Sequence, residues 1–329
     1  MDAKITKTRL SHYLSYDLGK MVAVMVAIIV LWLLIFQTTG TRITAAQEYG
    51  VYNYAGAHVG EKFRNYATYA DKDVFSYEVM KSGSYDISVN GDEIDTVMQA
   101  RVSTSEIDAM FITDNPANKE AWKYKDDKGV EHDATYLEGI LHSCYSSILP
   151  FDGDNGLLAL VEGYLNEYFT NGYEDIASLN EEKLEQDFRA RIKKDKRFKK
   201  EEQKAEAVLK EIERLKRYAN ALVQFNDYLE DGVVALQEKT VYFAGDDGVT
   251  IEHVLTRKYS LNLCPDETKT NFKDSVYYFE ELEEGAEGTV GDKTSKNLNL
   301  ILFRMPTEYN LFLGEHLLYI NQIIAECVL

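Results

Sequence analysis

Three cysteines, six histidines and four prolines are all that 329 residues contain of these types, and each scarcity excludes something. Cys144, Cys264 and Cys327 stand far apart, without metal-site spacing, and an odd number cannot all pair internally. One pair of possible metal ligands, Glu138 and His142, lies four residues apart near Cys144. No second ligand set clusters with it, so it reads as a polar helix face, and neither metal nor cofactor is expected. No GxSxG elbow, phosphate-cradling glycine loop or HExxH helix occurs. The 55 acidic residues guarantee accidental carboxylate pairs, so no pair is informative by itself. The expectation is a protein that is not an enzyme.

Positive charge is also scarce, with 36 Lys and Arg against 55 Asp and Glu and a net charge of −19. The first twenty residues carry four basic side chains against two acidic ones, a net of +2, which leaves −21 on the remainder. So acidic a chain is a poor partner for nucleic acid. Its apolar content of 45 % and aromatic content of 12 % argue for a folded region large enough for one big domain or two lobes.

Against these absences stands one unbroken apolar run, Met21 to Phe36. With its flanks and a snorkelling Lys20 it covers a bilayer core of about 30 Å. The basic flank places residues 1–20 in the cytoplasm by the positive-inside tendency, and the rest outside. An uncleaved signal anchor over 21–38 is the reading taken. Its competitor is a cleaved signal peptide, since Thr44-Ala45-Ala46 loosely resembles a cleavage site. The expected layout is then a stalk over 39–72 and an extracellular α/β domain over 73–329, with a helical region at 157–225.

Within that domain VFSYEV (74–79) reads as a strand, and Tyr85 to Val89 alternates with period two. Asn90 and Glu93 form a capping box for a helix with Ile94, Val97, Met98 and Val102 on one face. Residues 107–113 make a buried strand ending at Asp114-Asn115-Pro116. Strand, helix, strand is a βαβ unit, which indicates a parallel sheet. A hairpin or loop is expected around Asp126 to Gly129, and a helix ending before Pro150. Asp152 to Gly156 departs from the EF-hand pattern and reads as a turn.

Residues 157–169 form a helix, and Ser178 with Glu181 caps the next. A stripe that includes Val208, Leu209, Ile212 and Leu215 makes 179–223 one or two long helices. Seven Lys and Arg between Lys193 and Lys204 read as a solvated helix face. Strands follow at 238–244, through VTIEHVL and RKYSLNLCP, at SVYYFEEL and at 297–306. The loop over 283–297 reads as exposed, and a helix with Leu317, Ile320, Ile323, Ile324 and Cys327 on its apolar side closes the chain.

This order, with MQARVSTSEIDAMFITDNP, YANALVQFNDYLED, YSLNLCPDETKTNFKDSVYYF and the final pair NLNLILFRMP and EHLLYINQII, resembles the extracellular solute-binding proteins of bacterial ABC importers. More narrowly, it is similar to their membrane-anchored relatives in low-GC Gram-positive bacteria. The chain departs from the importer-bound lipoproteins in having no lipobox cysteine. The resemblance implies a two-lobed, periplasmic-binding-protein-like fold closing over a small polar solute. Because ligands in parallel sheets gather beyond the carboxyl ends of strands, Ser82, Ser84 and Tyr85 in one loop and Asp114 and Asn115 in another are the expected ligand-binding residues. The alternative is an accessory subunit of a surface complex whose partner is another protein.

Overall fold

The computed structural model describes residues 7–8, 11, 18–39, 47–54, 57–59, 74–79, 81–86, 94–117, 123–244, 251–266, 276–278, 297–304 and 312–329. The chain divides into two compact units, Met1–Arg42 and Ile43–Leu329. The first holds α1, Leu18–Thr39. Its 22 residues rise about 33 Å, and its stretch Leu18–Phe36 has a mean hydropathy of 2.7. The helix is long and apolar enough to cross a membrane, as an anchor or a signal sequence would be.

The second unit is a mixed α/β structure. In chain order it runs β1 (Glu48–Asn53), β2 (Ala57–Val59), β3 (Lys81–Asp86), α2 (Ile94–Ser103), β4 (Ala109–Thr113), β5 (Tyr124–Lys125), β6 (Glu131–His132), α3 (Tyr136–Cys144), β7 (Ile148–Leu149), α4 (Leu157–Asn166), α5 (Glu181–Arg191), α6 (Glu201–Glu230), β8 (Ala235–Ala244), β9 (Ile251–Asn262), β10 (Val276–Tyr278), β11 (Leu298–Phe303) and α7 (Gly314–Ile323). The main sheet has seven strands in the order β3-β1-β4-β11-β9-β8, with β7 added beside β11. Strands β3, β1 and β4 are parallel. The remaining pairings, β4 with β11, β11 with β9 and β7, and β9 with β8, are antiparallel.

Period-two alternation sorts the side chains to the two faces. Leu298, Leu300 and Leu302 of β11 and Phe111 of β4 share one core with Val161 of α4, Leu215, Leu222 and Phe225 of α6 and Leu317 and Ile320 of α7. Ile301, Phe303, Met110 and Ile112 face the other way, against Met98 of α2 and Leu137, Ile140 and Leu141 of α3. Each fully buried side chain of this size contributes about 1.5–3 kcal/mol, so β11, buried at every position, anchors both cores.

A βαβ unit is present as β3-α2-β4, with β1 lying between its two strands and the first strand starting at Lys81, four residues before the stretch read as alternating. Three features differ from the sequence reading. The sheet is mixed, because the strands after α6 return antiparallel. β1 falls within the stretch read as a stalk, yet it sits inside the sheet. Residues 74–79 form turns, not a strand, because side chains satisfy their backbone: Arg217 donates to the carbonyls of Val74 and Phe75, and Glu315 accepts from the amide of Ser76.

Elsewhere the differences are local. Asn180, not Ser178, caps α5, its Oδ1 accepting from the amide of Lys183 at 3.0 Å. The VTIEHVL and RKYSLN stretches make one strand, β9. The basic segment occupies a 3-10 turn at Ile192–Lys194 and the link to α6, not a helix face. On α6 Leu215 is fully buried and Ile212 half-buried, but Leu209 is 67 % exposed. The turns at 126–129 and 152–156 form as expected, with positive φ at Gly129 and Gly153. The Asn90–Glu93 capping box, the loop over 283–296 and Pro306 lie outside the described residues, as does the side chain of Cys327.

Candidate functional site

Ser82, Ser84 and Tyr85 lie within the edge strand β3, not in a loop, which corrects the sequence reading: the segment pairs along the whole of β1. Tyr85 stands level with Tyr52, and Tyr52 with Met110. Asp114 is therefore four residues further along the strand direction, about 13 Å away by strand rise alone. Asp114 and Asn115 serve the exit of β4. The Asp114 carboxylate accepts from Thr135 Oγ1 at 2.7 Å and pairs with Lys239 at 2.7 Å. The Asn115 carbonyl accepts from the Tyr136 amide, and its side chain accepts from Asn297. These contacts tie the strand end to the start of α3, whose own capping box joins Thr135 and Glu138. His142 is bound on the same helix, its Nδ1 2.8 Å from the Glu138 carbonyl, and no cluster of metal ligands forms among the described residues.

Tyr85 instead lines a pocket of about 290 Å³ that runs along β1 and β3, from Glu48 and Lys81 to Tyr52 and Tyr85, beside Asp108 just before β4. The pocket begins where α2 stops. The amide of Glu106 reaches back to the carbonyl of Arg101, and that of Ser105 to Val102, a Schellman ending whose left-handed position is usually glycine. Here Ser105 takes it, at φ 56°, at a cost of about 1–2 kcal/mol. The turn brings the Glu106 carbonyl against Gly50, where any Cβ would collide with it. Gly50 is zipped to Asp108 on both sides: its carbonyl accepts from the Asp108 amide, and its amide donates to Asp108 Oδ2 at 2.7 Å.

Asp108 is thereby held at the pocket floor, 7 % exposed. Burial pushes its carboxyl up to about 7, with the Gly50 amide pulling back and Glu48 pushing further. In the same pocket the rings of Tyr52 and Tyr85 lie 5.0 Å apart at 31°, Tyr52 buried and Tyr85 exposed at 42 %. The mouth is framed by two exposed ion pairs, Lys81 with Glu48 and Arg101 with Glu106. Hydrogen bonding to Glu48 raises the Lys81 ammonium, and Arg101 lowers the Glu106 carboxyl.

The arrangement offers aromatic faces, a carboxyl that exchanges its proton near neutrality, and charges already paired at the rim. It suits recognition of a small molecule. Of its residues the sequence reading finds only Tyr85. Tyr52 is hidden in the supposed stalk. Asp108 carries one usable signal, an acidic residue at the start of an otherwise apolar strand. No family model, no curated protein and no solved structure matches this chain, so the pocket has to be understood from its own chemistry.

Proposed function

We propose that this is a single-pass, membrane-anchored binding protein that takes a small polar ligand at the pocket between Tyr52, Tyr85 and Asp108. α1 is the anchor, residues 1–20 lie in the cytoplasm, and the unit from Ile43 faces the exterior. The observation that carries the reading is the buried carboxyl of Asp108 in one pocket with two tyrosine rings, a pocket near the lower size limit of small-ligand sites, about 300 Å³. In this reading the protein is not an enzyme, and it serves as a receptor or sensor of the solute-binding kind.

Calorimetry on the full chain in detergent, against amino acids, sugars, amines and short peptides, tests the pocket. A ligand whose affinity drops at least tenfold in Tyr85→Ala is expected, and a ligand indifferent to that change would remove the pocket from the reading. The two-lobed arrangement is a finer part of the proposal. It requires the radius of gyration in X-ray scattering to shrink on saturation, and an unchanged radius would leave binding without closure.

Orientation has its own check. Protease added to intact cells is expected to digest the unit from Ile43 onward, and complete protection would place it in the cytoplasm.

A second reading, an accessory subunit docking another protein, is favoured by one observation. A groove of about 810 Å³ runs between residues 75–79 and α6, with Leu209 exposed along it beside Lys210 and Arg217. In that case small molecules would leave the protein's melting temperature unchanged.

A further inference from the structure

Each acidic residue at the pocket other than Asp108 already has a cation. Glu48 holds Lys81, and Glu106 holds Arg101. Asp108 has a single backbone amide on one oxygen and no ion pair among the described residues. A buried carboxylate left in that state is costly unless its charge is met by something else. With Asp108 ionised, the five charged groups of the pocket sum to −1, inside a chain of net charge −19. An anionic ligand would face three carboxylates, and a neutral one would leave the Asp108 charge uncompensated. A hard divalent cation wants six or more converging oxygens, and no cluster of three metal-binding residues forms among the described residues. The tilted tyrosine pair supplies what an organic cation uses, an electron-rich face in the same pocket as a carboxylate.

We propose that the ligand of this pocket is a small organic cation, an alkylammonium or quaternary ammonium compound, with its charge against the Asp108 carboxylate and its alkyl groups over the ring of Tyr85. The inference rests on the reading of the pocket as a ligand site and narrows it to one chemical class. Binding selects the ionised form of Asp108. The charged and titratable groups facing Asp108 are Glu48, Tyr49 and Tyr52 from β1, Lys81 and Tyr85 from β3, and Arg101 and Glu106 from the end of α2. Among them it is Asp108 that is pushed to about 7. Affinity therefore weakens as pH falls from 8 to 6, by about tenfold for one proton with a midpoint near 7.

The test is calorimetry on the full chain in detergent with tetramethylammonium and choline, whose charge does not titrate, beside 3,3-dimethylbutanol, the uncharged counterpart of choline, and glucose. The expected result has three parts. Choline or tetramethylammonium binds at least tenfold tighter than the neutral alcohol. That binding weakens about tenfold from pH 8 to pH 6. It is lost in Asp108→Asn and weakened in Tyr85→Ala. Tyr85 lies exposed on an edge strand, so the second variant keeps the test decisive if the first does not fold. Equal binding of the alcohol and choline, or cation binding unchanged by pH and by both substitutions, overturns the proposal. If glucose or another neutral solute binds and Tyr85→Ala abolishes it, the cation class falls while the pocket reading stands. If no compound of any class binds, both fall.

Discussion

Glu211→Ala should lower the stability of the second unit by about 3–5 kcal/mol, the usual consequence of removing one partner from a buried ion pair. Glu211 and Arg214 are completely enclosed, their side chains 1 % and 0 % exposed. The pair is bidentate, with Arg214 Nη2 2.7 Å from Oε1 and Nε 2.9 Å from Oε2. Arg191 donates to the same Oε1 at 2.9 Å and the Tyr77 hydroxyl to Oε2 at 3.0 Å. Burial alone would raise this carboxyl, but Arg214 and Arg191 outweigh it and hold it at about 2. From Arg214 the network continues to the Tyr218 hydroxyl, which donates to Glu315 at 2.6 Å, and Glu315 in turn accepts from Ser76. One carboxylate thus fastens residues 75–79, α5 and α6 together, and its loss leaves the Arg214 guanidinium buried without the counter-charge of Glu211. Thermal melting by circular dichroism should fall by about 10 °C, at roughly 2–4 °C per kcal/mol for a unit of this size. Glu206→Ala on the exposed face of α6, where Glu206 pairs with Lys210 at the surface, should change stability by no more than about 0.5 kcal/mol. Equal effects from the two substitutions would mean that water reaches Glu211.

The same residues explain why α6 is legible as a helix but not in its rotation. The buried positions run 208, 211, 215, 218, 222 and 225 at three-four spacing. Because position 211 is Glu and 214 is Arg, a pattern built on apolarity slides one residue round and recruits Leu209, which the structure leaves in solvent. Sequence patterning prices charge as surface, and a paired buried charge defeats it. β4 and β11 are legible for the opposite reason, since strands covered on both faces are apolar throughout. β1 is not. Its Tyr, Gly and Asn residues carry no alternation, and its glycine answers to the approach of the Glu106 carbonyl, which is distant in sequence. The pocket is half legible. Tyr85 can be picked out, but the rule that ligands gather at the carboxyl ends of strands points to Asp114, whereas the candidate site lies along β1 and β3 and takes its buried carboxyl, Asp108, from the residue before β4.

Between about pH 5 and 6 the stability of Asp108→Asn should fall more steeply with falling pH than that of the natural protein, because Asp108 opposes the buried histidines there. His316 is fully enclosed, its Nδ1 2.8 Å from the Tyr49 hydroxyl, and burial pushes the imidazole down to about 3 from 6.5. The unfolded chain takes up this proton below 6.5 and the folded one does not, so the His316 contribution is present at higher pH and is lost as pH falls through 6.5. Asp108 runs the other way. Its folded carboxyl, near 7 against an unfolded 3.8, holds a proton that the unfolded chain has released, so its contribution is present at low pH and is lost as pH rises through 7. Between pH 5 and 6 each changes stability by about 1 kcal/mol with opposite sign, given about 1.4 kcal/mol per pH unit for one proton. Glu211 titrates too low to enter this window, while His142, which burial also lowers, adds to the His316 side in the natural chain and in both variants alike. Urea unfolding at about pH 5 and 6 should therefore show stability changing from pH 6 to pH 5 by about 1 kcal/mol less favourably in Asp108→Asn than in the natural chain, and by about 1 kcal/mol more favourably in His316→Gln. If Asp108→Asn follows the natural protein across this range, then Asp108 is ionised in the folded state well below neutrality, and the balance between the two groups does not exist.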